Sequence, residues 1–189
     1  MKSVWISFIA AVVYATVRYN ICKGIPWCEW PTYILNKALA LSALILLVVY
    51  LYRLSRGSRD VNDKTLHMAG LFASMHVFLS LILLATGHYE KFLSAGKLTC
   101  LAGWSLLLGT VVTVFMRAVP RTKDGQSPRR ELQVLAFLTF LVGLHAMLPQ
   151  YMGWFTPSKW PGFLPPITLI SFALGLIALW FGFFPRKKG

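Results

Sequence analysis

Among the side chains that could ligate a metal or move electrons are four histidines and three cysteines. Two of the histidines stand where titratable groups are rarely tolerated. His76 lies near the middle of LHMAGLFASMHVFLSLILLA, Leu66 to Ala85, a stretch with no Lys, Arg, Asp or Glu. His145 lies in a second apolar run, Leu132 to Pro149. A polar side chain placed in hydrocarbon costs several kcal/mol unless a partner satisfies it, so a titratable group there is a functional candidate by default. Neutral imidazole is the metal-ligating form, and an axial imidazole is a common ligand of haem iron. The expectation is that His76 and His145 face each other across a helix bundle and grip a haem b. The alternative is a pair of histidines hydrogen-bonded across helices. His67 and His88 fall at the two ends of the first run, where water is within reach, and read as interfacial residues.

Other chemistries are excluded by what the spans lack. Glu29, Asp60, Asp63, Glu90, Asp124 and Glu131 all lie in loops or at span edges, which argues against a carboxylate relay at the midplane. Cys/His clustering of the zinc type is absent, as are the Walker, GxGxxG and GxSxG patterns. Cys22 and Cys28 share one loop, and outside the cytoplasm such a pair is expected to close a structural disulfide. A redox-active pair is the alternative, although oxidoreductase pairs favour Cys-x-x-Cys. Cys100 lies inside a span and reads as a packed thiol.

The elements that must position these residues follow from composition. Of 189 residues 57% are hydrophobic and only 13% charged, against about 45–50% and about 25% in soluble domains. Mean hydropathy is +0.62. Lipid is the solvent such a surface needs, and in lipid only helices or closed barrels satisfy the backbone. The apolar runs are continuous rather than alternating, which selects an all-α fold. Six spans are expected at Val4–Tyr19, Tyr33–Leu51, Leu66–Ala85, Leu98–Met116, Leu132–Pro149 and Leu164–Phe184. A helix of ~20 residues covers the ~30 Å hydrocarbon core. The first run, after Lys2, also resembles a signal-peptide start and is taken as retained. No soluble domain intervenes, so residues 1–189 read as one transmembrane domain. No internal repeat is visible.

The net charge of +13 sits mostly in the gaps between runs, which points to membrane orientation rather than nucleic acid. Lys2, Arg53, Arg56, Arg59, Lys64, Arg117, Arg121, Lys123, Arg129, Arg130, Arg186, Lys187 and Lys188 share one side. Arg18, Lys23, Lys37, Lys91, Lys97 and Lys159 share the other. The excess places both termini in the cytoplasm of an inner or plasma membrane, multi-pass. Trp27, Trp30, Trp154 and Trp160 then fall outside, with several prolines. They read either as an interfacial aromatic belt or as a docking surface for a redox partner or a quinone headgroup. His76 lies ~15 Å and His145 ~20 Å along its helix from the cytoplasmic end. The two therefore lie at similar depth.

Three segments carry a resemblance: AGLFASMHVFLSLILL, GKLTCLAGWSLLLGTVV and RRELQVLAFLTFLVGLHAML. Over about residues 33–184 the chain resembles the ferric reductase-like transmembrane domain family, which includes the six-helix haem b subunit of the bacterial periplasmic methionine sulfoxide reductase system. The resemblance implies axial haem histidines on the third and fifth helices and electron transfer from flavin or quinone to an outer acceptor. His145 matches the fifth-helix position. Anchored on Gly70, the third-helix ligand would fall nearer Ser80, one turn beyond His76. Many relatives carry a further histidine about thirteen residues before the fifth-helix ligand. Here that place holds Leu132, beside Gln133, which implies one haem rather than two.

The expectation is a membrane b-type cytochrome passing electrons between a quinol or partner protein and an acceptor at the outer face. Lys and Arg at the span ends are available to the haem propionates, but spacing assigns none of them. Two rivals stand beside it. One is a non-catalytic membrane anchor or assembly subunit; the other is a quinone-linked thiol oxidoreductase using Cys22 and Cys28.

Overall fold

The computed structural model describes residues 2–56, 63–88, 93–94, 97–118, 128–148 and 151–184. The fold is all-α. Six helices follow one another: α1 (Lys2–Ala15), α2 (Leu35–Ser55), α3 (Asp63–Ala85), α4 (Cys100–Ala118), α5 (Pro128–Met147) and α6 (Ile167–Phe183). A two-residue antiparallel ladder, Leu93–Ser94 with Lys97–Leu98, precedes α4. Leu98, expected to open the fourth span, belongs to this ladder. Leu164, expected to open the sixth, lies in extended backbone, because the consecutive Pro165 and Pro166 hold off the helix until Ile167. Pro149, placed at the end of the fifth span, lies outside the described residues.

Five helical stretches among the described residues are long and apolar enough to cross a membrane: Lys2–Ile21, Trp27–Ser55, Lys64–Ala85, Arg129–Met147 and Pro161–Phe183. Helix α4 contributes a shorter described apolar stretch, Ala102–Val111. The centre is α2. Its span is 67% buried, against 11% for that of α3 and 22% for that of α6. A helix enclosed on all sides must be apolar all round, and α2 is apolar almost throughout. It packs against α1, α3, α5 and α6. Leu44, Leu46 and Leu47 meet Val4 of α1 and Ala69 and Phe72 of α3. At its C-terminal end Tyr50 and Leu51 meet Leu132, Leu135 and Ala136 of α5 and Ala178 of α6.

Helices in lipid gain little from apolar burial against each other, so close packing of small residues matters more. The α5–α6 pair is built this way. A Cβ on Gly143 would come within 2.8 Å of the Ser171 carbonyl, and one on Gly175 within 3.2 Å of the Phe140 Cα. A methyl at Gly143 would require the backbone to shift, and one at Gly175 would be tight. Outward, Phe78, Trp104, Val114 and Trp180 are exposed apolar side chains.

Two π-helical stretches shape the end of the bundle that carries the tryptophans. Thr16–Ile21 prolongs α1 and Trp30–Ile34 leads into α2. The Trp30 indole N–H donates to the Thr16 hydroxyl at 2.9 Å and ties the two together. At the same end Tyr14 donates to the Pro165 carbonyl, and Arg18 to the Leu164 carbonyl, joining α1 to the start of α6. Trp154 and Trp160 are also pinned, donating to Thr168 Oγ1 at 3.0 Å and to the Gly153 carbonyl at 2.9 Å.

Candidate cofactor site

Several hydroxyls of the bundle turn back on their own helix. Ser42 donates to the Ala38 carbonyl, Ser74 to that of Gly70 and Thr139 to that of Leu135. Such i−4 bonds hide a polar group locally. A smaller set reaches across helices instead: Asn36, His76, Ser80, Ser105 and His145.

His76 sits on α3 and faces the first turn of α2. Its Nδ1 lies 2.7 Å from Oδ1 of Asn36 and 3.2 Å from the Asn36 carbonyl. Both are acceptors, so Nδ1 carries the proton. Asn36, with 0% exposure, uses its Nδ2 to donate to Ser80 Oγ at 3.0 Å. Ser80, the place to which the resemblance pointed for a ligand, thus braces the residue that holds His76.

His145 sits on α5 and faces α4. Its Nδ1 lies 2.7 Å from the Ser105 carbonyl. The Ser105 hydroxyl lies 2.9 Å from Nδ1 and donates to the His145 carbonyl at 3.0 Å. Gly109, one turn along α4, lies against the same edge of the ring. A Cβ there would stand 3.1 Å from Cε1 and 3.2 Å from Nδ1.

The two arrangements match. In each, a residue of the incoming helix accepts from a histidine forty positions later on the outgoing helix. With Nδ1–H engaged, each ring keeps its lone pair on Nε2. A ligating histidine is ordinarily held this way, its other N–H bonded to a carbonyl or carboxylate. The ring centroids of His76 and His145 are 6.4 Å apart, at an interplanar angle of 64°. Two metal–imidazole bonds of about 2 Å each, with about 1 Å from nitrogen to ring centre, would put the centroids of trans ligands about 6 Å apart. The observed separation suits a single iron between the rings.

Both histidines line a cavity among α2 to α6 of about 140 Å³, counted for the centres of water-sized molecules. One water needs about 10–15 Å³ by the same measure. The lining mixes small residues, Ala40, Ala43, Ala73, Gly109 and Ala146, with larger apolar ones such as Leu44, Leu81 and Val142. Lys37 and Tyr19 reach the cavity from the Trp-bearing end. The donor set and the ring spacing fit a haem.

The remaining expected residues fall elsewhere. His67 is exposed at the start of α3. His88 pairs with Glu29 at 3.3 Å, its ring 4.9 Å from that of Tyr33. Cys22 and Cys28 are exposed free thiols, as is Cys100. No bridge closes the first loop here. Instead Cys22 Sγ packs onto Gly162, where a Cβ would come within 2.5 Å of it. Among the described residues no group of three or more His, Cys, Asp or Glu gathers around a common point. Neither Asn36 nor Ser105 was singled out from the sequence.

Comparison with protein-family models, with curated proteins and with solved structures finds no match.

Proposed function

We propose that this chain is a six-span membrane b-type cytochrome in which His76 and His145 are the axial ligands of one haem b. Helix α4, 19 residues long, supplies the sixth crossing, and the excess of Lys and Arg keeps both termini in the cytoplasm. The observation that carries the reading is the paired hold on Nδ1, which presents an Nε2 lone pair from each of two rings spaced for one iron.

When bound, haem would supply a one-electron couple inside the bilayer. The chain's own residues do the rest. Asn36 and Ser105 fix the tautomer and the azimuth of each imidazole, and so would hold both rings in place for the group. The alanines and Gly109 leave room for a flat macrocycle. The surrounding leucines and valines exclude water and keep the local dielectric low, which disfavours the more highly charged state of the iron. Electrons would pass between a quinol or partner protein and an acceptor at the Trp-bearing face, where Met152, Phe155 and Phe163 are exposed.

The test is an absorption spectrum of the purified protein, oxidised and dithionite-reduced. A Soret band and a sharp reduced α-band at about one haem per chain are expected. His145→Ala should abolish the six-coordinate signature. A pigment-free preparation, or an unchanged spectrum in His145→Ala, would overturn the assignment.

A further inference from the structure

The cavity has one charged wall apart from its histidines. Lys37 follows Asn36 in α2, so its backbone is next to the residue that holds His76. Side chains on a helix lean toward its N-terminus, which in α2 is the Trp-bearing end. Lys37 obeys this: its Nζ lies 5.2 Å from the centre of the Tyr33 ring, one turn back. The ammonium is therefore displaced from the histidine level toward the mouth.

That mouth is rich in cations. The Arg18 guanidinium and the Lys23 ammonium lie 5.5 Å and 5.9 Å from the centre of the Tyr19 ring. Tyr19 stacks edge-on to Tyr33 at 5.6 Å. Arg18 is only 6% exposed, and its Nε has no hydrogen-bond partner. The one described carboxylate in this neighbourhood, Glu29, is held by His88. Arg18, Lys23 and Lys37 thus put three cations around the Tyr19–Tyr33 pair. A haem carries two carboxylates on one edge of an otherwise apolar plate.

Resting on the haem reading, we infer that Lys37 and the cationic mouth around Tyr19 and Tyr33 form the carboxylate-binding end of the pocket. They orient the macrocycle with its propionates toward the Trp-bearing face. The opposite orientation would bury two carboxylates among Leu44, Leu47 and Ala73, where the lining offers the Thr110 hydroxyl but no cation. Lys37 is thus the residue that distinguishes a dianionic porphyrin from a neutral one.

The experiment compares iron protoporphyrin with its dimethyl ester, in which both carboxylates are masked. Each is titrated into detergent-solubilised apoprotein and followed at the Soret band. Charge-assisted hydrogen bonds lead to an expected preference for the free acid of about ten- to a hundredfold in the native chain. Lys37→Met should remove most of that preference while still binding the ester, and Lys37→Arg should keep it. Taking the ratio within each variant cancels the ester's greater partition into detergent. A native chain that binds both porphyrins equally would overturn the inference, as would a Lys37→Met variant with an undiminished preference. In both of those outcomes the haem reading stands. If neither porphyrin binds the native chain, the haem reading itself fails and takes this inference with it.

Discussion

The Nδ1 of His76 lies 2.7 Å from the side-chain oxygen of Asn36, whereas the Nδ1 of His145 lies 2.7 Å from a peptide oxygen, that of Ser105. One histidine is held by a side chain and the other by the backbone. The two should therefore respond differently to mutation. Asn36→Leu leaves His76 only the Asn36-position carbonyl at 3.2 Å. Ser105→Ala keeps the closer peptide acceptor of His145. Loss of such a partner typically costs a ligating histidine about 10–100-fold in affinity. Asn36→Leu is expected to weaken haem retention by about that factor, and Ser105→Ala by less than about tenfold. Haem titration of the two apoproteins checks this, and equal losses would contradict it.

Gly109 sets the distance between α4 and the His145 ring. An added methyl would stand 3.1 Å from Cε1, so Gly109→Ala requires a small shift of the ring and Gly109→Val a larger one. Ligand geometry must be held to within about 0.5 Å. Gly109→Ala should broaden the low-spin haem signal in electron paramagnetic resonance. Gly109→Val should convert a large fraction to the five-coordinate, high-spin form. A fully low-spin Gly109→Val would show that α4 does not fix the ring.

Packing of α5 on α6 gives a prediction that involves no cofactor. Gly143→Ala drives a methyl to within 2.8 Å of the Ser171 carbonyl, an overpacking that costs roughly 1–3 kcal/mol. Gly70, in α3, has nothing within 4 Å of its would-be Cβ. There Gly70→Ala should be neutral or stabilising by about 0.5–1 kcal/mol through helix propensity. Unfolding of both variants in detergent, followed by circular dichroism, measures the contrast.

The thiols report orientation. With Cys22 and Cys28 free and exposed, a membrane-impermeant maleimide should label both in intact cells without prior reduction. Labelling only after lysis would reverse the topology, and labelling only after reduction would reveal a bridge. Cys22→Ser with Cys28→Ser should leave the haem spectrum unchanged; a lost spectrum would return the cysteines to the mechanism.

The helices were readable because apolar runs of about twenty residues with at most one Lys, Arg, Asp or Glu have few other uses. His76 and His145 were readable because imidazoles in apolar runs are conspicuous. Their holders were not. Asn36 stands beside Lys37 near a span edge and reads as an ordinary interfacial residue. Ser105 acts through its carbonyl, which every residue has, and serines such as Ser42 and Ser74 satisfy themselves within their own helices. The π-helical stretches Thr16–Ile21 and Trp30–Ile34 leave no periodic signature, so the inward placement of Tyr19 could not be foreseen. The loop cysteines look alike whether bridged or free. In the fold Cys22 Sγ lies against Gly162, 140 positions further along.

Four helices each give one member to the paired histidine arrangement: Asn36 from α2, His76 from α3, Ser105 from α4 and His145 from α5. Insertion of the iron would consequently staple all four at once, and a ligand that binds only the assembled state raises its stability by mass action. Chains made without it would be handed to quality-control proteases. The amount of this protein in a membrane, and not merely its colour, should then rise and fall with the supply of haem.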